Sequence, residues 1–267
     1  MDAATTALRA LADEGRAGLV MDFDGVLSHI TADPSESQLL PGVRELLGSL
    51  AKRLAVVALL SGRPAGFLAE RATIPGVELY GSYGVERVGD AGDIEVLPEA
   101  LRWRTALAEA THILRQELAE VEGVHIEEKS VAVAVHWRRA PDRDAAESLV
   151  APTLTTVRET FGLRREPGKF VEELRMPLAR DKGTTLRDIV EAHGLRTVAY
   201  AGDDRGDLPA FAVATVRGHA LVVDGPDMPR EVADVAGAHF TSPAEFVAWL
   251  ERLDDALERN PRSTRAE

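Results

Sequence analysis

Cysteine is missing from all 267 residues. Its absence excludes disulfides, thiolate nucleophiles and cysteine-held zinc, and leaves the compartment open. Long apolar runs are missing too. The longest, Leu54 to Leu60, falls far short of the about 20 residues a membrane-spanning helix needs. The opening MDAATTALRALADEG reads as an Ala-rich amphipathic helix without the basic segment and apolar core of an export signal. No membrane partner and a cytoplasmic location are therefore expected. Positive charge is in deficit: 31 Lys and Arg face 44 Asp and Glu, a formal net charge of −13. Such a chain repels a phosphate backbone at long range, which argues against nucleic acid as a partner. The same repulsion acts on a phosphorylated small molecule, so any phosphate site here needs local cations, either metal or placed Lys and Arg. Repeats and low-complexity tracts are also absent. What remains is 45% hydrophobic and 28% charged, long enough for one large α/β domain or a core with a smaller companion.

The chain opens and closes in one style and changes in the middle. Residues 17–25 read as a short buried strand ending in an acidic turn, followed by a helix after Pro41 with Val43, Leu46, Leu47 and Leu50 at helical spacing. A strand at 54–60 runs into Ser61-Gly-Arg-Pro64, then a helix at 65–72 and a strand at 77–80. Strand, helix, strand, helix predicts a parallel sheet with right-handed crossovers, whose ligands bind beyond the carboxyl ends of the strands. The middle predicts one long helix over 100–121, two tightly joined antiparallel strands at 124–128 and 131–137, a helix at 142–161, and two short strands at 163–166 and 170–175. That is a separate α+β unit. The first style returns with a helix at 181–193 and a strand at 197–200 ending in Ala201-Gly-Asp-Asp204. Strands at 220–223 and 239–240 and a helix at 243–257 follow, and the polar tail 260–267 is expected to be disordered.

Three clusters fall at predicted strand ends: Asp22 with Asp24, Ser61, and Asp203 and Asp204 with Asp207. Carboxylates converging in one crevice repel one another unless a cation sits among them. Hard oxygen donors with room for water suit Mg²⁺, which would also offset charge on a phosphoryl group. Each piece alone has a plain alternative. Asp-x-Asp-Gly and Gly-Asp-Asp are both common turns, and Ser61 has the chemistry of a helix cap. An EF-hand beginning at Asp22 fails, because its glycine position holds Leu27 and its last ligand would be Asp33. The order of all three, each behind an apolar run, is what argues for a site. Lys182, at the start of a helix in Arg-Asp-Lys-Gly-Thr-Thr, is the cation placed to meet a phosphate. Lys169 competes poorly: its stretch is no P-loop, with Leu163 in place of the first glycine and Phe170 in place of Ser/Thr.

These residues resemble the haloacid dehalogenase superfamily and, within it, the trehalose-6-phosphate phosphatases. Asp22-Phe-Asp-Gly-Val-Leu27 is similar to the first motif, Leu60-Ser-Gly-Arg63 to the second, Asp181-Lys-Gly183 to the third and Gly202-Asp-Asp-Arg-Gly-Asp207 to the fourth. Gly81-Ser-Tyr-Gly-Val-Glu86, Ile126-Glu-Glu-Lys129 with Val135-His-Trp-Arg138, and Val171-Glu-Glu-Leu-Arg175 resemble the trehalose-phosphate branch. There are two departures from the family pattern: Tyr83 stands where His is usual, and Gly206-Asp-Leu208 where Thr-Asp-Glu is usual.

The resemblance implies an α/β fold, a Rossmann-like parallel-sheet core domain (1–104 and 179–267) with an inserted smaller α+β cap domain (105–178). It implies Asp22 as a nucleophile forming an aspartyl-phosphate, and Asp24 as the acid for the leaving sugar oxygen and the base for water. Mg²⁺ would be held by Asp22, the Asp24 carbonyl and Asp203, with Asp204 and Asp207 orienting waters or the Asp22 loop. Ser61, Gly62 and Lys182 would grip the phosphoryl oxygens. Glu127, Lys129 and Glu173 match the sugar-recognising positions of the cap, with Arg63 a further candidate. By composition alone these cap residues read equally as a solvated, salt-bridged sheet face. His136 and Arg138 share that face. The implied partner is a small sugar phosphate, trehalose 6-phosphate first and a related disaccharide or pseudo-disaccharide phosphate second. A sugar phosphomutase, a non-catalytic sugar-phosphate sensor and an acidic metal-binding module are the other readings.

Overall fold

The computed structural model describes residues 2–31, 36–225 and 228–260. They form two compact units, 1–95 with 180–267, and 96–179.

The first unit is built around two strands, 17–21 and 56–60, whose every residue is apolar or small. Helix α1 (Ala3–Asp13) starts at Asp2, whose carboxylate accepts the Thr5 N–H at 2.7 Å. Then come β1 (Ala17–Met21), α2 (Val43–Leu50), β2 (Val56–Leu60), α3 (Ala65–Ala72) and β3 (Val77–Gly81), with two short strands, β4 (Glu86–Val88) and β5 (Ile94–Val96). β1 and β2 are buried along their whole length, as strands covered on both faces must be. Side chains alternate between two cores. Leu19 and Met21 pack with Leu50, Phe246 and Trp249, while Val20 packs with Leu186, Tyr200 and Phe211.

In the second unit, α4 (Pro98–Leu101) and α5 (Arg104–Glu117) replace the single helix expected over 100–121. The Trp103 N–H closes on the Ala100 carbonyl three residues back, which tightens the turn and interrupts the i→i−4 ladder. β6 (His125–Glu128) and β7 (Ala132–His136) form the expected antiparallel pair, followed by α6 (Arg143–Phe161), β8 (Arg164–Gly168) and β9 (Val171–Arg175). The four strands make one antiparallel sheet in the order β6-β7-β9-β8. This unit begins at Val96 rather than 105 and ends at Ala179 rather than 178. The Trp103 ring, packed beside Gly162 at the end of α6, shows why the residues before 105 go with it.

The chain then completes the first sheet with α7 (Lys182–Ala192), β10 (Thr197–Gly202), α8 (Leu208–Arg217), β11 (Gly218–Val223), α9 (Arg230–Ala233), β12 (Ala238–Phe240) and α10 (Pro243–Arg259). Its order is β12-β11-β10-β1-β2-β3-β4-β5. The pairs from β12 to β3 are parallel, and β4 returns antiparallel to β3. β1 to β3 spread one way from the centre and β10 to β12 the other. The order therefore reverses between β1 and β10, where such sheets open a crevice for ligands. No helix among the described residues is long and apolar enough to cross a membrane. Asn260, first residue of the expected tail, caps α10; positions 261–267 lie outside the described residues.

Candidate active site

Asp22 and Asp203 leave the sheet side by side at that reversal. Met21 is in register with Ala201, and the Asp22 N–H extends the ladder to the Ala201 carbonyl at 2.9 Å. Ser61 leaves β2, the neighbour of β1 on its other side. Between the two aspartate turns the chain is crowded. Gly25 has φ +74°, and a Cβ there would stand 2.0 Å from the Asp203 carboxylate, so both conformation and space demand glycine.

A buried ammonium ties the constellation together. Lys182 Nζ donates to Asp22 Oδ2 and to Asp207 Oδ1, both at 2.6 Å. The lysine, Asp22 and Asp207 are all buried. α7 presents Lys182 as its first residue because Asp181 caps the helix, its side chain taking the Thr184 N–H at 2.7 Å while Thr184 Oγ1 accepts the Asp181 N–H. Asp207 is saturated: Oδ1 also accepts the Tyr200 hydroxyl at 2.5 Å, and Oδ2 accepts the Asp203 and Asp204 N–H groups at 3.0 Å each. It is a brace for the Asp203–Asp207 turn.

Burial pushes the Asp22 carboxyl up to about 6 against the pull of Lys182, with Asp207 adding to the rise. Burial and the neighbouring Asp22 and Asp207 push Asp203 up to about 8. Burial alone would strip the proton from Lys182, but Asp207 and Asp22 outweigh it and hold the ammonium charged. One cation is thus too few for three carboxylates whose oxygens lie within 4.8 Å of one another. An all-oxygen donor set with surplus negative charge fits a hard divalent ion. With Asp207 already saturated, Asp22 and Asp203 are the side chains left to hold it.

Asp24 sits at the rim of a cleft of about 390 Å³, lined also by Asp22, Asp203, Asp204 and Thr31. Its carboxylate is engaged on both oxygens. Arg63 bonds it through Nε at 2.7 Å and through a terminal nitrogen at 3.1 Å, and Ser37 Oγ donates at 2.7 Å. The guanidinium proposed for sugar is here a partner of Asp24, and it also lies 4.6 Å above the Phe67 ring. Ser61 is buried, its Oγ accepting the Arg63 N–H at 3.2 Å.

The expected sugar-reading residues belong to the other unit, where they do come together. Glu127, Ala134 and Glu173 lie opposite one another across β6, β7 and β9. Lys129 Nζ bonds Glu173 and stands 4.0 Å from Glu127, and His136 Nε2 lies 2.9 Å from Glu127. Ala132 and Ala134 at the centre of this face are small and buried. Arg138 turns away from this group, bonding the Lys169 carbonyl at 3.0 Å.

Comparison with known proteins decides the family. The trehalose-phosphatase family model matches residues 20–240. The chain belongs to the trehalose-phosphatase family. It is 36% identical over 246 residues to the trehalose-phosphate phosphatase of Mycobacterium avium (strain 104), covering 89% of this chain and 62% of that protein. It is 34% identical over 245 residues to that of Mycobacterium tuberculosis (strain ATCC 25618 / H37Rv), covering 90% and 62%. The chain thus spans less than two thirds of the length of these relatives. Its fold matches the trehalose-6-phosphate phosphatase of Aspergillus fumigatus with a TM-score of 0.68, at 24% identity over 96% of this chain and 98% of that one. Sequence reasoning missed Tyr200, Ser37 and the Arg63–Asp24 pair. A lone tyrosine in an otherwise aliphatic strand was the one available signal, and Ser37 in its loop gave none.

Proposed function

We propose that this chain is a phosphoric monoester hydrolase that releases inorganic phosphate from trehalose 6-phosphate with Asp22 as nucleophile. The observation that carries the reading is Asp22 at the reversal of the sheet, buried between the Lys182 ammonium and the under-neutralised Asp203. An ionised carboxylate needs no deprotonation to attack. Asp22 forms the oxygen–phosphorus bond as the bond from phosphorus to the sugar oxygen breaks, and Asp24 gives its proton to that leaving oxygen. Asp24 then takes a proton from water, whose oxygen attacks phosphorus and returns Asp22 as a free carboxylate. Arg63 must let go of Asp24 for it to carry a proton, so the pair describes a resting arrangement. Lys182 and Ser61, with the Gly62 N–H, hold the phosphoryl oxygens while charge redistributes. Asp22, Asp203 and the Asp24 carbonyl would hold Mg²⁺, with Asp204 and Asp207 shaping the turn around it. When bound, the ion offsets charge on the phosphoryl group.

We assign sugar recognition to Glu127, Lys129 and Glu173. Hydrogen bonds from sugar hydroxyls to such charged groups are worth about 1.5–3 kcal/mol each. The test is phosphate release from trehalose 6-phosphate, sucrose 6-phosphate and glucose 6-phosphate, with and without Mg²⁺. Asp22→Asn is expected to abolish Mg²⁺-dependent release while keeping the native thermal transition. Ordinary turnover by that variant would refute the assignment, and phosphate moved to another sugar hydroxyl without release would show a mutase.

A further inference from the structure

Ser82 and Tyr83 are consecutive non-glycine residues with φ of 50° and 60°, a left-handed conformation that L side chains avoid. Such strain persists only where the surroundings over-determine it, and here they do. The Ser82 N–H donates to the Arg63 carbonyl at 2.7 Å and the Tyr83 N–H to the Ser61 carbonyl at 2.9 Å. Thr185 Oγ1, one turn along α7 from Lys182, donates to the Tyr83 carbonyl at 2.8 Å. Beneath the turn the buried Glu86 carboxylate accepts Ser82 Oγ at 3.0 Å and the Ala65 N–H at 2.9 Å. A carboxylate that plays no part in the chemistry therefore locks the turn to the start of α3.

The lock aims the Tyr83 ring between two functional turns. A Cβ at position 62 would stand 3.0 Å from the Tyr83 hydroxyl, and one at position 206 would stand 3.8 Å from the ring edge. Tyr83 and Gly206 thus face each other. A Cβ alone at position 206 would meet the ring in ordinary contact, and any larger side chain there would crowd it.

We propose that Tyr83 is a positioning residue whose ring sets the spacing between the Ser61-Gly62 loop and the Asp203–Asp207 turn, and so the fit of the phosphoryl group. The inference rests on reading Ser61 and Gly62 as the phosphate grip. It concerns the phosphoryl group common to all phosphate monoesters, not the sugar, and it depends on the bulk of the ring, whose Cζ lies nearly as close to position 62 (3.1 Å from a Cβ there) as the hydroxyl does.

The experiment measures binding of inorganic phosphate by calorimetry in Mg²⁺, alongside kcat/KM for p-nitrophenyl phosphate and trehalose 6-phosphate. Tyr83→Ala is expected to weaken phosphate binding about tenfold and to lower both kcat/KM values by the same factor, within the ~10²-fold that an ångström of misplacement can cost. Tyr83→Phe should restore all three to within about threefold. Gly206→Val should crowd the ring and weaken phosphate binding in the same way. Gly206→Val and Tyr83→Phe decide the matter if Tyr83→Ala fails to fold. Unchanged phosphate affinity in Tyr83→Ala, a Phe variant as weak as Ala, or unchanged affinity in Gly206→Val would each overturn the proposal. Ser61→Ala separates the two readings. If it leaves phosphate affinity intact, the grip itself is wrong and the inference falls with it; if it weakens affinity while the position 83 and 206 variants do not, only the inference falls.

Discussion

Replacing Lys182 with methionine removes the charge and keeps most of the volume. In the native protein its ammonium bonds Asp22 and Asp207 at 2.6 Å each, in a setting where the lysine is 3% exposed and Asp207 is 0% exposed. Removing one partner of such a buried pair leaves an uncompensated charge, at about 3–5 kcal/mol. For a domain of this size each kcal/mol moves the thermal midpoint by about 2–4 °C, so a drop of about 6–20 °C is expected. Metal would mask part of the effect, so the measurement is thermal unfolding by circular dichroism in excess chelator. Asp207→Asn in the same chain removes one of the two stranded carboxylates and should recover a substantial part of the loss. A Lys182→Met midpoint within about 2 °C of the parent, below the shift that 1 kcal/mol produces, would mean the ammonium does not hold these carboxylates, and the electrostatic account of the site would fail.

Other outcomes follow from the same geometry. Arg63→Gln removes the bidentate bond to Asp24 that has to open before the carboxyl carries its proton, so steady-state sugar-phosphate turnover should be kept or raised, with p-nitrophenyl phosphate, whose leaving group needs no acid, unchanged; a loss confined to the sugar phosphate would refute this. Glu127→Ala and Glu173→Ala should impair a disaccharide phosphate far more than p-nitrophenyl phosphate, because hydroxyl recognition discriminates only where hydroxyls are present. Equal losses on both substrates would return these residues to a solvated ion-paired face. In metal-free protein, Asp22 near 6 and Asp203 near 8 bind protons in the folded state that the unfolded chain has released. Stability is then fullest below the ordinary carboxylate range and is lost as pH rises towards about 8. The chelated midpoint should therefore fall from pH 5 to pH 8, and Mg²⁺ should raise it most at pH 8 with release of protons. A chelated midpoint that rises over that interval would contradict it.

The sequence disclosed most where one local rule acted alone. Apolar runs followed by acidic or small residues located β1, β2 and β10 and the turns beyond them, because strands buried on both faces tolerate little else. Helix α3 was legible to the residue. The 100–121 segment was misread because its composition favours helix throughout, while the break at Trp103 is set by a turn closure and by ring packing on Gly162, both invisible in periodicity. β4, β5, α8 and α9 were not anticipated. The first two are three-residue strands, too short to show alternation. In the site, residue identities were legible from motif order, but partnerships were not. Nothing in Ser61-Gly-Arg63 says that its guanidinium lies on Asp24, or in Tyr200 that its hydroxyl braces Asp207, since both depend on contacts between distant segments.

The pairing of β1 with β10 has a consequence for how this protein is made. Ala17 of β1 pairs with Thr197 of β10, and the whole α+β unit lies between them in sequence. Setting Asp22 beside Asp203 therefore means closing a very long loop, a slow kind of event, so the crevice is assembled by one of the most non-local pairings of the fold.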